Sequence, residues 1–167
     1  MKFSVITPTI ARPSLARCRE SVQSQTFTDW EHIVVVDSPR SNNFGNTPRH
    51  NGWKEATGDW IFYLDDDNYL AHPNALRDVA EALEGIQEQW VIFPIMRHGS
   101  RFFNDPPGLC MTDTANMVIR REVARWPNIP DYTADGILCE QLKAKYPYAA
   151  FPNVAPIIVM EKSSEGK

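Results

Sequence analysis

The segment "WIFYLDDDNYL", Trp60 to Leu70, sets a run of apolar and aromatic residues directly against three consecutive aspartates and an asparagine. Adjacent carboxylates repel one another, and each is better solvated alone. Such a cluster calls for a positive partner. Hard divalent cations such as Mg2+ or Mn2+ take carboxylate oxygens, and Mg2+ commonly shares its shell with water and phosphate oxygens. The bland alternative is a polar turn in which Asp65, Asp66, Asp67 and Asn68 bond to nearby backbone. Position adds weight to the metal reading. The cluster follows a strand-like run, and in open parallel sheets ligands gather beyond the carboxyl ends of strands.

Two other strand ends would share that cleft. Phe3–Thr7, "FSVIT", runs into a Pro8-Thr9 turn, and Trp30–Val36, "WEHIVVV", ends at Asp37 with the β-branched content of a central strand. Between them, Pro13 suits the first turn of a helix with Leu15, Cys18, Val22 and Phe27 roughly on one face. Thr47-Pro48 reads as a helix start and Gly58 as its end. Trp60–Leu64 is a third strand. His72-Pro73 opens a helix that turns Leu76, Val79, Ala80 and Leu83 inward and closes at Gly85. Trp90–Ile95 is a fourth strand. The alternation predicts an α/β fold with a central, mostly parallel sheet flanked by helices. After Arg97 the pattern loosens. It reads as a loop or hairpin over "HGSRFFNDPPGLC", a strand region in "MTDTANMVIR" and a short helix in "RREVARW". A helix from about Gly136 to Lys145, a last strand in "APIIVM" and a frayed tail over 161–167 complete the chain.

A length of 167 residues suits one domain, and a net charge of -4 without any Lys/Arg run gives no reason to expect a nucleic-acid partner. No apolar stretch approaches the ~20 residues of a bilayer span. The N-terminus enters a strand pattern at once, leaving no room for a signal peptide. Peripheral membrane contact stays open, because a surface patch need not show in a linear sequence. Cys18, Cys110 and Cys139 form neither a C-x-x-C pair nor zinc spacing, which reads as ordinary thiols in a reducing compartment, the cytoplasm by default.

In order and spacing, "FSVITPTIARPSLARCRESVQSQTFTDWEHIVVVDSP" and "PRHNGWKEATGDWIFYLDDDNYL" resemble the opening blocks of family 2 glycosyltransferases of the GT-A fold. Those blocks run from a strand into a Pro-Thr turn, a helix ending near S-V-x-x-Q-T, and a strand ending in Asp. Arg and Asn on a helix, a closing Gly, a strand and a D-x-D motif follow. The resemblance covers about the first 70 residues and thins after Ile95. It implies a single GT-A-like (Rossmann-like) domain over 1–160, with 1–97 binding the nucleotide-sugar and 98–160 serving the acceptor. By the same resemblance, Pro8 and Thr9 would lie against the nucleotide, and Asp37 would accept a hydrogen bond from the base, often uracil. Arg49 and Asn51 would sit near base and ribose, and Asp65 and Asp66 toward ribose and phosphates. Asp67 would hold the metal that bridges the diphosphate.

The family's general base is an acid near the start of a later helix. Its match is Asp135 in "YTADGILCEQL", with Ala134-Asp135 where the family usually has Glu-Asp. Asp131 and Glu140 are the substitutes if the match slips by a turn, and an aspartate there is also a common helix cap. "MTDTANM" falls where the acceptor subsite is expected, which makes Asp113 a candidate contact for an acceptor hydroxyl. Trp126 is a candidate for stacking on a sugar.

The function so implied is a metal-dependent (Mn2+ or Mg2+), inverting transfer from a nucleotide-diphospho-sugar, UDP-sugar favoured, to a glycan or other hydroxyl acceptor. Two departures stand against the family pattern: the Q-x-x-R-W motif of processive synthases is absent, and no histidine follows Asp135. Two further readings stay open. A nucleotidyltransferase-like enzyme would carry a Gly-rich basic loop after the first strand, and "TPTIARPS" has no glycine. A catalytically idle sugar-nucleotide-binding module fits the short C-terminal region, which a second copy of the chain could otherwise complete.

Overall fold

The computed structural model describes residues 1–109 and 111–161. The reading of Cys110 and, beyond Glu161, that of the frayed tail lie outside the described residues. β1 (Phe3–Thr9) is buried along its whole length. It pairs in parallel with β2 (Trp30–Val36) on one side and β3 (Trp60–Tyr63) on the other. Beyond β3 lie β8 (Met117–Arg120), β5 (Trp90–Ile92) and β9 (Tyr148–Ala150), giving the order β2-β1-β3-β8-β5-β9. β8 runs antiparallel to both neighbours, and every other pairing in this sheet is parallel.

Helices cover both faces, as α/β sheets require. Phe3, Val5, Phe62, Leu64 and Val118 share one core with Cys18 and Val22 of α1 (Leu15–Gln23) and with Leu76 and Val79 of α3 (Ala75–Ala82). Ile6, Ile61, Tyr63 and Ile119 point the other way. They pack with Trp126 and with Leu138 and Leu142 of α4 (Ala134–Lys143). α2 (Asn46–Glu55) lies on that second face, against β1 and β2.

A second sheet, β4-β10-β6-β7, is built from β4 (Asn68–Leu70), β10 (Ile158–Met160), β6 (Ile95–Arg97) and β7 (Ser100–Phe102). The chain leaves the main sheet after β3 and enters this one at β4. Asp65, Asp66 and Asp67 occupy the crossing.

Several expectations are corrected. β2 is an edge strand, half-exposed along most of its length; β-branched content marks a pleated surface, and centre and edge share it. β1 continues through Pro8 and Thr9, which are strand residues and not a turn. Trp90–Ile95 is two strands in different sheets, parted at Pro94, which has no amide hydrogen to extend a ladder. α2 starts two residues before Pro48, with Gly45 as its cap.

"RREVARW" forms no helix. The carbonyls of Arg121, Ala124 and Trp126 accept from Trp53 Nε1, Tyr63 Oη and His50 Nδ1 at 2.9, 2.6 and 2.9 Å. Tertiary partners have taken the groups a helix would have used.

Gly52 lets α2 lie close to the sheet: a Cβ there would meet Ile6 Cγ2 at 2.5 Å and Val35 Cγ2 at 3.3 Å. Gly52→Ala is therefore expected to destabilise the fold by about 1–3 kcal/mol through overpacking, despite alanine's better helix propensity. Urea denaturation of the two proteins measures it; an unchanged midpoint would contradict this packing.

Candidate functional site

Each aspartate of the crossing is held by an arginine, and Asp66 and Asp67 share theirs. Asp66 is nearly fully buried and accepts the Thr9 hydroxyl at 2.6 Å. Its second oxygen and Asp67 Oδ2 both receive Arg12 Nη1, each at 3.2 Å. Asp65 takes Arg49 Nη2 of α2. Burial, and then the Asp65 charge, push the Asp67 carboxyl above the ordinary aspartate value, with Arg12 pulling it back.

Arg49 is placed by an unusual helix start. Gly45 adopts φ 78°, which costs glycine little, and a Cβ at that position would meet Arg49 Nη1 at 2.8 Å. The guanidinium also donates to Phe44 O at 2.8 Å and lies over the Trp126 ring at 4.9 Å. Its Nε is buried with no hydrogen-bond partner among the described residues.

Two adjoining cavities open on this cluster. The first, about 420 Å3, is lined by Pro8, Thr9, Arg12, Asp37 and all three aspartates. The second, about 400 Å3, carries Asp113, Asp135, Thr112 and Arg97. Phe44, Arg49, Asp65 and Tyr132 belong to the walls of both. Asp37 closes its own loop, accepting the Ser41 amide and hydroxyl at 3.0 Å each.

Asp135 lies in the first turn of α4, in the lining of the second cavity, and Thr133 is the cap residue. Its Oδ1 accepts the Gly136 N–H at 2.7 Å. Burial raises its carboxyl above the ordinary value, against the opposing pull of that N–H and of Arg49. Asp113 caps the short 3-10 turn Thr114–Asn116, accepting Ala115 N–H at 3.1 Å. Burial pushes it up to about 6, despite that N–H, with the Asp65 and Asp135 charges adding to the effect.

The segment leading into α4 is tied to α2. Asn46 donates to the carbonyls of Ile129 and Asp131 at 2.7 and 2.9 Å and accepts from Trp126 Nε1 at 2.9 Å.

Of the residues expected from sequence, Pro8, Thr9, Asp37, Arg49, Asp65, Asp66 and Asp67 share the first cavity. Asp113, Asp135 and Trp126 border the second. Asn51 is exposed and lines neither. Trp126 is corrected as a sugar platform: it is 2% exposed, with Tyr63 edge-on at 4.6 Å and Arg49 over its ring. Asp131 and Glu140, the substitutes for Asp135, also lie outside both cavities. Unforeseen residues are Arg12 and the exposed pair Phe44 and Tyr132, in contact edge to face at 5.6 Å. Arg12 had a visible signal, being the sole cation in the loop "TPTIARPS".

Among the described residues, no three His, Cys, Asp or Glu side chains converge as a ready cage for a metal ion. Two carboxylates do converge on a cation, the guanidinium of Arg12. Carboxylate oxygens are the donors a hard divalent ion takes, so these aspartates are chemically suited to one that draws its remaining ligands from outside the protein.

Residues 40–144 match the profile described as glycosyl transferase family 2. The chain belongs to that family. The uncharacterized glycosyltransferase YwdF of Bacillus subtilis (strain 168) is 30% identical to this member over 105 residues, 50% of this chain and 39% of YwdF. S. aureus TarS 1-349, solved in complex with UDP-GlcNAc, superposes with TM-score 0.77 at 16% identity, over 100% of this chain and 60% of that one. The mannosyltransferase PcManGT from Pyrobaculum calidifontis, solved in complex with GDP-Man and Mn2+, gives TM-score 0.67 at 13% identity, over 99% and 58%. These superpositions establish the GT-A glycosyltransferase fold. The family member thus spans about two-fifths of YwdF and three-fifths of the solved chains. Among the described residues, no helix is long and apolar enough to cross a membrane.

Asp113 yields a stability test. Its folded value of about 6 exceeds the ordinary 3.8, so its contribution to stability is full below pH 3.8 and is lost as pH rises through about 6. Asp113→Asn keeps a capping side chain and is expected to stabilise the protein by about 2–3 kcal/mol at neutral pH. The gain should vanish toward pH 4. Melting temperatures across that range check the prediction; a gain independent of pH would contradict it.

Proposed function

We propose that residues 1–160 form the transferase domain of a metal-dependent glycosyltransferase that moves a sugar from a nucleotide-diphospho-sugar to an acceptor hydroxyl with inversion. The observation that carries this reading is the pair of adjoining cavities. The first holds the three aspartates, the second holds Asp135 in the first turn of α4, and Arg49 and Asp65 stand in the wall between them. A donor diphosphate in the first cavity would bring its sugar to that wall, within reach of an acceptor hydroxyl from the second.

Asp135 is the proposed general base. Its half-buried carboxylate takes the proton of the acceptor hydroxyl as that oxygen attacks the anomeric carbon, which requires contact at about 2.6–3.2 Å. Asp113 is proposed to orient the acceptor. In the donor cavity Asp37 is assigned to the base, Pro8 and Thr9 to the nucleotide face, and Asp65 and Asp66 to the ribose and phosphate end. Asp67 would hold the divalent ion, Mn2+ or Mg2+, which when bound neutralises charge on the leaving diphosphate. UDP-sugar is the favoured donor, supported by Asp37 and by the UDP-GlcNAc-bound relative; the Mn2+-bound mannosyltransferase supports the metal. The buried, unpaired thiols Cys18 and Cys139 suit a reducing compartment such as the cytoplasm.

The test separates transfer from donor binding. Asp135→Asn should lower kcat by about 10²–10⁴-fold and leave UDP affinity with Mn2+ within about twofold. Because the base acts ionised and burial raises its carboxyl, the wild-type rate should fall on the acid side at a pH above the ordinary aspartate value of 3.8. A kcat untouched by Asp135→Asn would remove the base assignment, and no turnover with any donor would favour the idle binding module.

A further inference from the structure

We propose that Arg12 is the resident counter-cation of the donor site. It holds the Asp66 and Asp67 carboxylates while the site is empty and passes to the donor's diphosphate when a divalent cation takes those oxygens. The inference rests on the donor-site reading above and adds a residue to it.

The geometry singles out Arg12 as the movable partner. One nitrogen, Nη1, lies 3.2 Å from both Asp66 Oδ1 and Asp67 Oδ2. Charge-assisted N–H···O bonds prefer about 2.7–2.9 Å, so the guanidinium spans two carboxylates without seating fully on either. Asp66 is fixed: its side chain is 5% exposed and the Thr9 hydroxyl holds its other oxygen at 2.6 Å. The Arg12 side chain is 37% exposed and lines the donor cavity.

The turn that delivers Arg12 is also specified. Ala11 adopts φ 63°, an uncommon conformation for a residue with a Cβ, and its N–H donates to Thr9 Oγ1 at 2.8 Å. A single hydroxyl therefore pins Asp66 and shapes the turn that aims Arg12 at it.

A divalent ion bonded to these oxygens at about 2.0–2.2 Å would sit against Nη1, and two cations in contact repel. Metal and guanidinium thus compete for one position. A displaced Arg12, which lines the same cavity, could turn to the donor's diphosphate, which guanidinium geometry matches with paired N–H donors. Metal alone is then opposed by Arg12, whereas metal and diphosphate together leave both the carboxylates and Arg12 with a partner of opposite charge.

The experiment titrates Mn2+ alone, followed by its electron paramagnetic resonance signal, into wild type, Arg12→Gln and Arg12→Lys. It then titrates UDP at saturating Mn2+. Arg12→Gln should bind Mn2+ alone about fivefold more tightly than wild type, the scale of one partly exposed ion pair, and bind UDP with Mn2+ about fivefold more weakly. Arg12→Lys keeps the charge and guards against a folding defect in the neutral variant. It should match wild type for Mn2+ alone and lose UDP affinity. Mn2+ affinity equal or weaker in Arg12→Gln would overturn the role of Arg12, even where the wild type binds UDP normally. A wild type that binds no UDP with Mn2+ would instead remove the donor-site reading.

Discussion

Three carboxylates in succession repel one another, and much of this molecule brings positive charge to them. The aspartates sit where the chain steps from the main sheet to the small one, on the only segment between β3 and β4. Arg49 reaches Asp65 from α2, and Arg12 reaches Asp66 and Asp67 from the loop after β1. Both arginines depend on special backbone beside them: Gly45 in a left-handed cap and Ala11 at positive φ. The positive φ of Ala11, next to a cluster of like charges, is a cost that packing elsewhere must offset.

Packing supplies that offset through two cores, one on each face of the sheet. β1 is buried on both faces and ends at Thr9, whose hydroxyl fixes Asp66. On the second face, α2 lies close to the sheet because Gly52 has no side chain, which sets Arg49 at the wall between the cavities. Asn46 on the same helix holds the 129–131 carbonyls and so places the start of α4, where Asp135 sits. One helix thus positions groups in both cavities.

The first ninety or so residues were legible because their signals are local. Runs such as "WEHIVVV" and "WIFYL", helix punctuation by Pro13 and Gly85, and an acidic turn after a buried strand each act within a few residues. The remainder depends on distant partners. β8 inserts antiparallel between β3 and β5, and the three-residue strands β4, β6 and β9 pair with segments far along the chain, while β7 only folds back on neighbouring β6. "RREVARW" has helical content, yet Trp53, Tyr63 and His50 draw its carbonyls away. Trp126 reads as a sugar platform by type, and only its surroundings show it to be core. Arg12 is a single cation in a loop without a helix or strand pattern, and only the fold shows that it faces the aspartates.

In the proposed donor site a metal and a nucleoside diphosphate would bind at the three aspartates. Calorimetric titration with UDP and GDP, each with Mn2+ and with EDTA, in wild type and in Asp67→Ala, tests it most directly. Binding of UDP that requires Mn2+, exceeds that of GDP and is lost in a folded Asp67→Ala protein is the predicted result. Equal binding in EDTA, or no binding of either nucleotide by the folded wild type, would contradict it and leave the aspartates as a turn neutralised by arginine alone.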